Sequence, residues 1–178
     1  MTAMKKDKAK FSVQMTAKEV YRFNMYHVYH SFSGLIGIGF SIIALIILLT
    51  SFSTLSEQTR AMLIIIAAWF VVFDPVILFT RSRGQAKRNK AYQQALNYEV
   101  NEAGITVSQN EEHQTIAWDN LFKIVETKTQ FLVYSSKMHA FIFPKSSVGM
   151  SEEQFREVLL HYAKDKGMLL KGKIKSAK

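Results

Sequence analysis

The chain has 178 residues, a formal net charge of +9 at pH 7 and no cysteine. A chain of this length has room for one domain of ordinary size together with a membrane segment. The lack of cysteine excludes disulfides and thiolate metal sites. We expect no nucleic-acid binding, because the basic residues form no stripe with interleaved aromatic residues outside the apolar segments.

The N-terminal segment, residues 1–30, begins with a short strand and continues as a helix. Phe11, Val13 and Met15 alternate with polar residues, which is typical of a strand. Residues 16–19 (TAKE) form a capping box, in which the Thr hydroxyl and the Glu carboxylate satisfy two free amides at a helix start. We therefore expect a helix from Ala17 that continues into the apolar segment.

Two apolar segments follow, and each is long enough to cross a bilayer as a helix. Residues 31–52 contain no ionisable side chain, and residues 61–80 contain only Asp74. About 20 helical residues cross a hydrocarbon core of about 30 Å. A helix in a soluble protein needs a polar face, but residues 35–49 offer only Ser41. We predict a transmembrane hairpin over residues 31–80, because the short connector 53–60 favours antiparallel helices.

The basic residues flank this hairpin on one side. Residues 1–30 contain six basic and two acidic side chains, and residues 81–96 contain five basic and no acidic ones. The positive-inside rule then predicts a multi-pass cell-membrane protein with cytoplasmic N- and C-termini. Residues 81–96 indicate a helical stalk whose basic side chains contact the anionic headgroups of the lipid bilayer. These side chains are Arg81, Arg83, Lys87, Arg88 and Lys90.

Small and polar residues within the apolar segments suggest further roles. Ser33, Gly37 and Ser41 recur every four residues, so a neighbouring helix can approach closely, either the second segment or a second copy of the chain. Asp74 and Pro75 predict a kink or restart of the second helix. Asp74 then either caps the restarted helix and reaches Arg81, Arg83 or headgroup water, or serves as an intramembrane proton or cation handle.

The pattern beyond residue 96 is that of a small antiparallel sheet closed by a helix. Residues 102–104 (EAG) indicate a hairpin turn, with Gly104 suited to a positive φ. Residues 151–154 form a second capping box, and Gly167 is placed to end the helix that follows. We predict an α+β domain over residues 97–167 and a solvated basic tail over residues 168–178. The predicted strands are 97–101, 105–109, 114–118, 123–126, 131–135 and 140–143.

The run from Gly104 through Trp118-Asp119, Glu126-Thr127 and residues 140–145 (AFIFPK) resembles the YcxB-like family. These are bacterial membrane proteins with a two-helix hairpin and a C-terminal domain similar to the pleckstrin-homology (PH-like) fold, and their activity is undefined. The resemblance implies that residues 11–15 join the same sheet as the later strands. It also implies packing roles for four aromatic residues, Trp118, Phe122, Phe131 and Phe141.

The chain shows no pattern typical of an enzyme, a cofactor site or a metal site. No glycine-rich phosphate loop is present outside the apolar segments, and no spacing pairs a nucleophile with a base. His27 and His30 share a helix face but have no carboxylate nearby to complete a metal site. We hypothesise a membrane-anchored binding or scaffold module for a protein partner or homo-oligomer. The alternatives are envelope protection or immunity against membrane-active peptides, and a small ion-coupled transport role through Asp74.

Overall fold

A computed structural model of the chain describes residues 8–165 and 169–172, apart from the side chains of residues 164, 165 and 169–172. The chain divides into two compact units. One is the helical unit, Thr16–Arg88, and the other contains the described residues before and after it. The expected α+β class is confirmed, because helices dominate the N-terminal half, and strands that pair mostly antiparallel follow together with a C-terminal helix.

The helical unit is built from four α-helices. They are α1 (Ala17–Tyr29), α2 (Phe32–Ser51), α3 (Glu57–Ala68) and α4 (Asp74–Arg88), with a π-helical turn at Trp69–Phe73 between the last two. Thr16 caps α1 as the sequence predicts, since its hydroxyl accepts the Glu19 N–H at 3.3 Å. The segment from Glu57 to Arg88 forms one continuous helix, which packs against both α1 and α2.

The other unit, which we call the sheet unit, contains two four-stranded sheets. The first is antiparallel with the order β1-β2-β3-β4, formed by Ala9–Val13, Leu96–Asn101, Gly104–Gln109 and Glu112–Ile116. The second has the order β7-β6-β5-β8, formed by Ala140–Pro144, Gln130–Tyr134, Lys123–Glu126 and Leu169–Gly172. Helix α5 (Glu152–Asp165) lies between β7 and β8 in sequence. The strand near the N-terminus thus pairs with β2, across the whole helical unit in sequence.

An aromatic cluster joins both sheets and α5. The Phe11 ring of β1 lies 5.2 Å from that of Phe143 in β7 and 5.3 Å from that of Phe155 in α5, both edge to face. Tyr98 of β2 stacks on Phe11, and Phe131 of β6 contacts Phe155. Edge-to-face pairs of this kind contribute about 0.5–1.5 kcal/mol beyond the area they bury. The sheet unit therefore has a conventional buried core.

The predicted turn with Gly104 connects β2 and β3 of the first sheet. Gly104 follows the two-residue turn between β2 and β3 with φ of +140°. A Cβ at this position would lie 2.1 Å from the Ile116 carbonyl oxygen of β4. Only glycine fits, because both the backbone angle and the close approach exclude a side chain.

The structure corrects several predicted boundaries. The stalk helix ends at Arg88 rather than continuing to Leu96, because Asn89 is extended and its side chain caps a short 3-10 turn. Trp118 lies in a 3-10 turn rather than a strand. Two sheets replace the single small sheet expected, and residues 169–172 form β8 on the edge of β5 instead of a solvated tail. Gly167 lies outside the described residues.

Candidate functional site: an apolar helical hairpin with a basic end

The outward surfaces of α2 and of the Glu57–Arg88 helix carry large apolar side chains. Leu49 is 77 % exposed, Val71 74 % and Phe40 62 %. By length and composition, both helices could cross a membrane, a test that core helices of soluble proteins also meet. Core helices bury their apolar faces, however, whereas many large apolar side chains of these two helices are exposed.

The inward face of α2 packs tightly on the second helix. The Ser41 hydroxyl donates to the Ile66 carbonyl at 2.9 Å. A Cβ at Gly37 would lie 1.9 Å from the Phe70 ring, so this glycine allows the ring to sit against the α2 backbone. Ser33 is exposed and hydrogen-bonds locally to Ser31 instead. The contact continues from Ser41 through a small apolar cluster, formed by Ala44, Leu48, Leu63, Leu55, Ile66 and Ala67.

The second helix changes its hydrogen-bonding pattern just before Pro75. The π-helical turn covers Trp69–Phe73, and the Asp74 N–H donates to the Trp69 carbonyl five residues back. Asp74 has helical φ and ψ of −58° and −50°. Asp74 is therefore an interior residue of a continuous helix, and our interpretation of it as the cap of a restarted helix is wrong.

Pro75 explains a contact between α1 and this turn. In the π pattern, the donor for the Phe70 carbonyl would be the nitrogen of Pro75, which carries no hydrogen. The Tyr29 hydroxyl donates to the Phe70 carbonyl instead. Asp74 is half-buried nearby, and within the part of the chain that the structure describes no salt bridge joins it to Arg81 or Arg83.

Helix α1 is braced against α4 along the basic end of the hairpin. The Tyr21 and Phe79 rings meet edge to face at 5.8 Å, and the Asn24 side-chain amide donates to the buried Ser82 hydroxyl at 2.9 Å. The five side chains predicted to contact lipid headgroups are all exposed: Arg81, Arg83, Lys87, Arg88 and Lys90. Arg83 also stacks on the Phe79 ring, with 5.4 Å between the guanidinium carbon and the ring centroid.

A buried ion pair network lies in the sheet unit, and the sequence offered no signal that its members meet. The Glu126 carboxylate is 2 % exposed and accepts hydrogen bonds of 2.7 Å from Lys145 and from two nitrogens of Arg156. Lys145 also donates to Glu152. Glu126 and Lys145 belong to the family-like run, but Arg156 lies 30 positions from Glu126 in sequence.

The pKa values within this network follow from its hydrogen bonds. Burial alone would raise the pKa of Glu126, but hydrogen bonds from Arg156 and Lys145 outweigh it and hold that pKa below its usual value. Burial alone would likewise lower the pKa of Lys145, but hydrogen bonds to Glu126 and Glu152 raise it. Glu126 and Lys145 are therefore both charged at neutral pH. Such a network fixes α5 and the end of β7 to β5, a structural task that requires no ligand.

The aromatic residues implied by the resemblance divide between the core and the surface. Trp118 is buried, stacks on Tyr162 of α5 at 5.1 Å and donates from Nε1 to the Asn101 carbonyl at 2.8 Å. Phe131 is fully buried. Phe141 is half-buried against Tyr98. Phe122 is 38 % exposed and so lies outside the core, but its ring packs edge to face on Tyr134 at 6.2 Å.

Among residues 8–165 and 169–172, no group of three or more His, Cys, Asp or Glu side chains could hold a metal ion. His30 stacks on the Tyr26 ring at 4.1 Å, and its Nδ1 lies 3.0 Å from the Tyr26 carbonyl oxygen. The candidate binding sites among the described residues are therefore the apolar outer surface of the hairpin and the exposed strand edges.

These features define an α+β chain in which an apolar helical hairpin separates the first strand of a two-sheet unit from the remaining strands. A family model described as YcxB-like protein matches residues 100–161, which confirms the resemblance seen in the sequence. The match extends from the end of β2 into α5 and does not include the helical unit. Comparisons with curated proteins and with solved structures give no match.

Proposed function

We propose that the chain is a two-pass cell-membrane protein with both termini in the cytoplasm, and that it presents a non-catalytic binding domain to the cytoplasm. The apolar outer surface of the hairpin carries this proposal. Side chains as apolar as Leu49 and Val71 are exposed along two helices, and water would oppose that exposure whereas lipid would not. The exposed basic side chains from Arg81 to Lys90 support the cytoplasmic orientation.

Single-cysteine labelling tests this orientation cleanly, because the chain has no cysteine of its own. Thr54→Cys places a thiol at an exposed position of the connector between the spans, and His113→Cys places one on an exposed strand of the sheet unit. We expect a membrane-impermeant maleimide to label Thr54→Cys in intact cells and His113→Cys only after permeabilisation. The reverse pattern, or a chain that stays in the supernatant of a detergent-free lysate, would contradict the proposal.

The sheet unit supports a PH-like binding module within this proposal. Support comes from its α+β architecture, in which the α5 helix follows strands β1 to β7, and from the family resemblance, which implies a PH-like domain in this part of the chain. Strand β4 is an edge strand whose residues Glu112 to Thr115 are all exposed, and β3 is its one partner among the described strands. An exposed edge presents unpaired N–H and C=O groups that an extended peptide can pair with.

The register of the β3–β4 pair shows which backbone N–H and C=O groups of β4 can pair with an added strand. The turn between β3 and β4 places Gln109 opposite Glu112, and Val107 lies opposite Gln114. Paired residues alternate between hydrogen-bonded and non-hydrogen-bonded positions, and a two-residue hairpin is closed by a hydrogen-bonded pair. His113 and Thr115 therefore direct their backbone groups away from β3. These two residues would hold the first hydrogen bonds of an added strand from a protein partner or a second copy.

Proline at position 113 tests the edge without breaking the β3–β4 ladder. Proline is tolerated on an edge strand and removes only the outward N–H. We expect His113→Pro to lose partners captured from solubilised membranes or to lose self-association, while His113→Ala, which keeps the N–H, retains them. Equal capture by both variants would exclude β4 as the binding edge.

A second candidate function is ion coupling through Asp74. It is favoured by the π-helical turn directly before this half-buried carboxylate, since such turns often mark functional sites. Proton flux into vesicles that contain the purified chain, followed with an enclosed pH-sensitive dye, would test it. We expect Asp74→Asn to abolish any flux; flux that persists in the variant, or none in the native chain, would remove this candidate.

A further inference from the structure

Two large apolar side chains of the sheet unit are exposed, and both lie at one end of the second sheet. Among the described residues of this unit, Met138 is 72 % exposed and Phe122 is 38 % exposed. The Phe122 N–H donates to the Tyr134 carbonyl at 3.1 Å, and residues 135–139 connect Tyr134 to β7. We call this end, formed by Phe122, Lys123 and residues 135–139, the sheet tip.

The β6–β7 turn within the sheet tip has a defined conformation. The Ser136 hydroxyl accepts the N–H groups of Met138 and His139 at 3.3 and 2.9 Å. The Ser135 N–H donates to the His139 carbonyl at 3.1 Å. The Met138 side chain is thus held outward by an ordered turn.

The charge around this apolar point is positive. The turn residues 135–139 contain one lysine and no acidic residue. This lysine, Lys137, is exposed beside Met138. The ammonium of Lys123 lies 3.9 Å from the centre of the Tyr134 ring, at the same end of the sheet. Apolar side chains set among basic ones match an anionic lipid interface, where both groups gain free energy together.

We propose that the sheet tip docks on anionic lipid at the surface of the membrane that holds the helical hairpin, an inference that rests on the membrane placement proposed above. Only residues 14–16 separate β1 from α1, so a short link tethers the sheet unit to the hairpin that we place in the membrane. Tethering raises the effective concentration of the tip at the lipid surface. Tethering thus reduces the free energy that Met138 and Lys137 must contribute to docking.

A fluorescent label at Met138→Cys in the otherwise cysteine-free chain reports where the tip lies. The full chain is reconstituted in vesicles of zwitterionic lipid with and without an anionic lipid. We expect lipid-borne quenchers to reach this label in the anionic vesicles, and aqueous quenchers to reach it in the zwitterionic ones. A label at His113→Cys, on β4 of the other sheet, should remain open to the aqueous quencher in both.

Matched charge variants test the electrostatic part. Lys137→Gln should lower the ratio of lipid-bound to free tip about fivefold, the factor that corresponds to about 1 kcal/mol per basic residue near the surface. Lys128→Gln removes the same charge from the exposed β5–β6 turn at the opposite end of these strands. We expect this control to leave the ratio unchanged.

A third label at Ile43→Cys, on the exposed face of α2, distinguishes failure of tip docking from failure of the proposed membrane hairpin. Lipid quenching at Ile43 together with an aqueous Met138 label would overturn tip docking and leave the membrane hairpin standing. Aqueous labels at both positions would overturn both. A Met138 label that enters lipid regardless of headgroup charge, or that is protected only in native membranes by a protein partner, would also overturn the proposed docking on anionic lipid.

Discussion

Large apolar residues are buried in one unit of this chain and exposed on the surface of the other. In the sheet unit Phe131, Phe143 and Phe155 are fully buried, whereas in the helical unit Phe40 and Val71 are more than half exposed. Both units also have tight internal contacts, an aromatic cluster in one and a glycine-to-ring contact in the other. The difference teaches that apolar content alone does not describe a core, because large apolar residues lie inside one unit and on the outer surface of the other.

The buried ion pair network gives the largest expected effect and tests the sheet-unit side of this comparison. Glu126→Gln leaves Lys145 and Arg156 without a buried counter-charge, so we expect the free energy of unfolding of the sheet unit to fall by about 3 kcal/mol. Denaturant unfolding of the full chain in detergent, followed by Trp118 fluorescence in a Trp69→Phe background, measures it. Glu152→Gln is the control, since this partly exposed partner of Lys145 should cost about 0.5 kcal/mol.

The same network predicts an acid dependence with a definite sign. The folded-state pKa of Glu126 lies below the ordinary value of 4.5. Its contribution to stability is therefore complete above pH 4.5 and is lost as the pH falls through the lower folded-state pKa. Part of the acid destabilisation of the sheet unit should be missing in Glu126→Gln. Identical acid profiles for the variant and the native chain would show that Glu126 is not the titrating group.

The contact of Gly37 with the Phe70 ring tests the helical unit and gives an intermediate expected effect. Gly37→Ala forces a methyl group into the Phe70 ring, so we expect a loss of about 2 kcal/mol in hairpin stability from overpacking. Gly39→Ala is the matched control, since no atom lies within 4 Å of a Cβ built there, and alanine should gain about 0.5 kcal/mol as a better helix former. Loss of helicity during titration with a denaturing detergent would measure both. Equal stability of the two variants would mean that α2 does not pack on Phe70.

The hydrogen bond from Tyr29 to the π-helical turn gives the smallest expected effect. Tyr29→Phe removes the donor to the Phe70 carbonyl, and a single intramolecular hydrogen bond contributes about 1 kcal/mol. Tyr26→Phe serves as the control, because the Tyr26 hydroxyl has no hydrogen bond among the described residues. Hydrogen exchange of the amides around residue 70, measured in detergent, should rise in Tyr29→Phe alone. A similar rise in both variants would point to general loosening of α1 instead.

Local signals in the sequence predicted individual elements well where the chemistry is local. The capping boxes at Thr16 and Ser151 begin α1 and α5 as expected, and the turn before Gly104 joins β2 to β3. The Asp74-Pro75 pair correctly indicated an irregular helix but not its form. Whether proline produces a restart or a π-helical turn depends on an outside donor, here Tyr29, which no local pattern shows.

By itself, the sequence determined the α+β class, the apolar hairpin, the basic flank and the family resemblance, because these follow from composition and short-range patterns. Only the tertiary structure decided that the strands of the described residues form two sheets, that β8 covers the edge of β5, and that Glu126 meets Arg156. It also placed Phe122 and Met138 together at one exposed end. These outcomes depend on register and long-range packing, and many pairings of short strands satisfy the same local preferences.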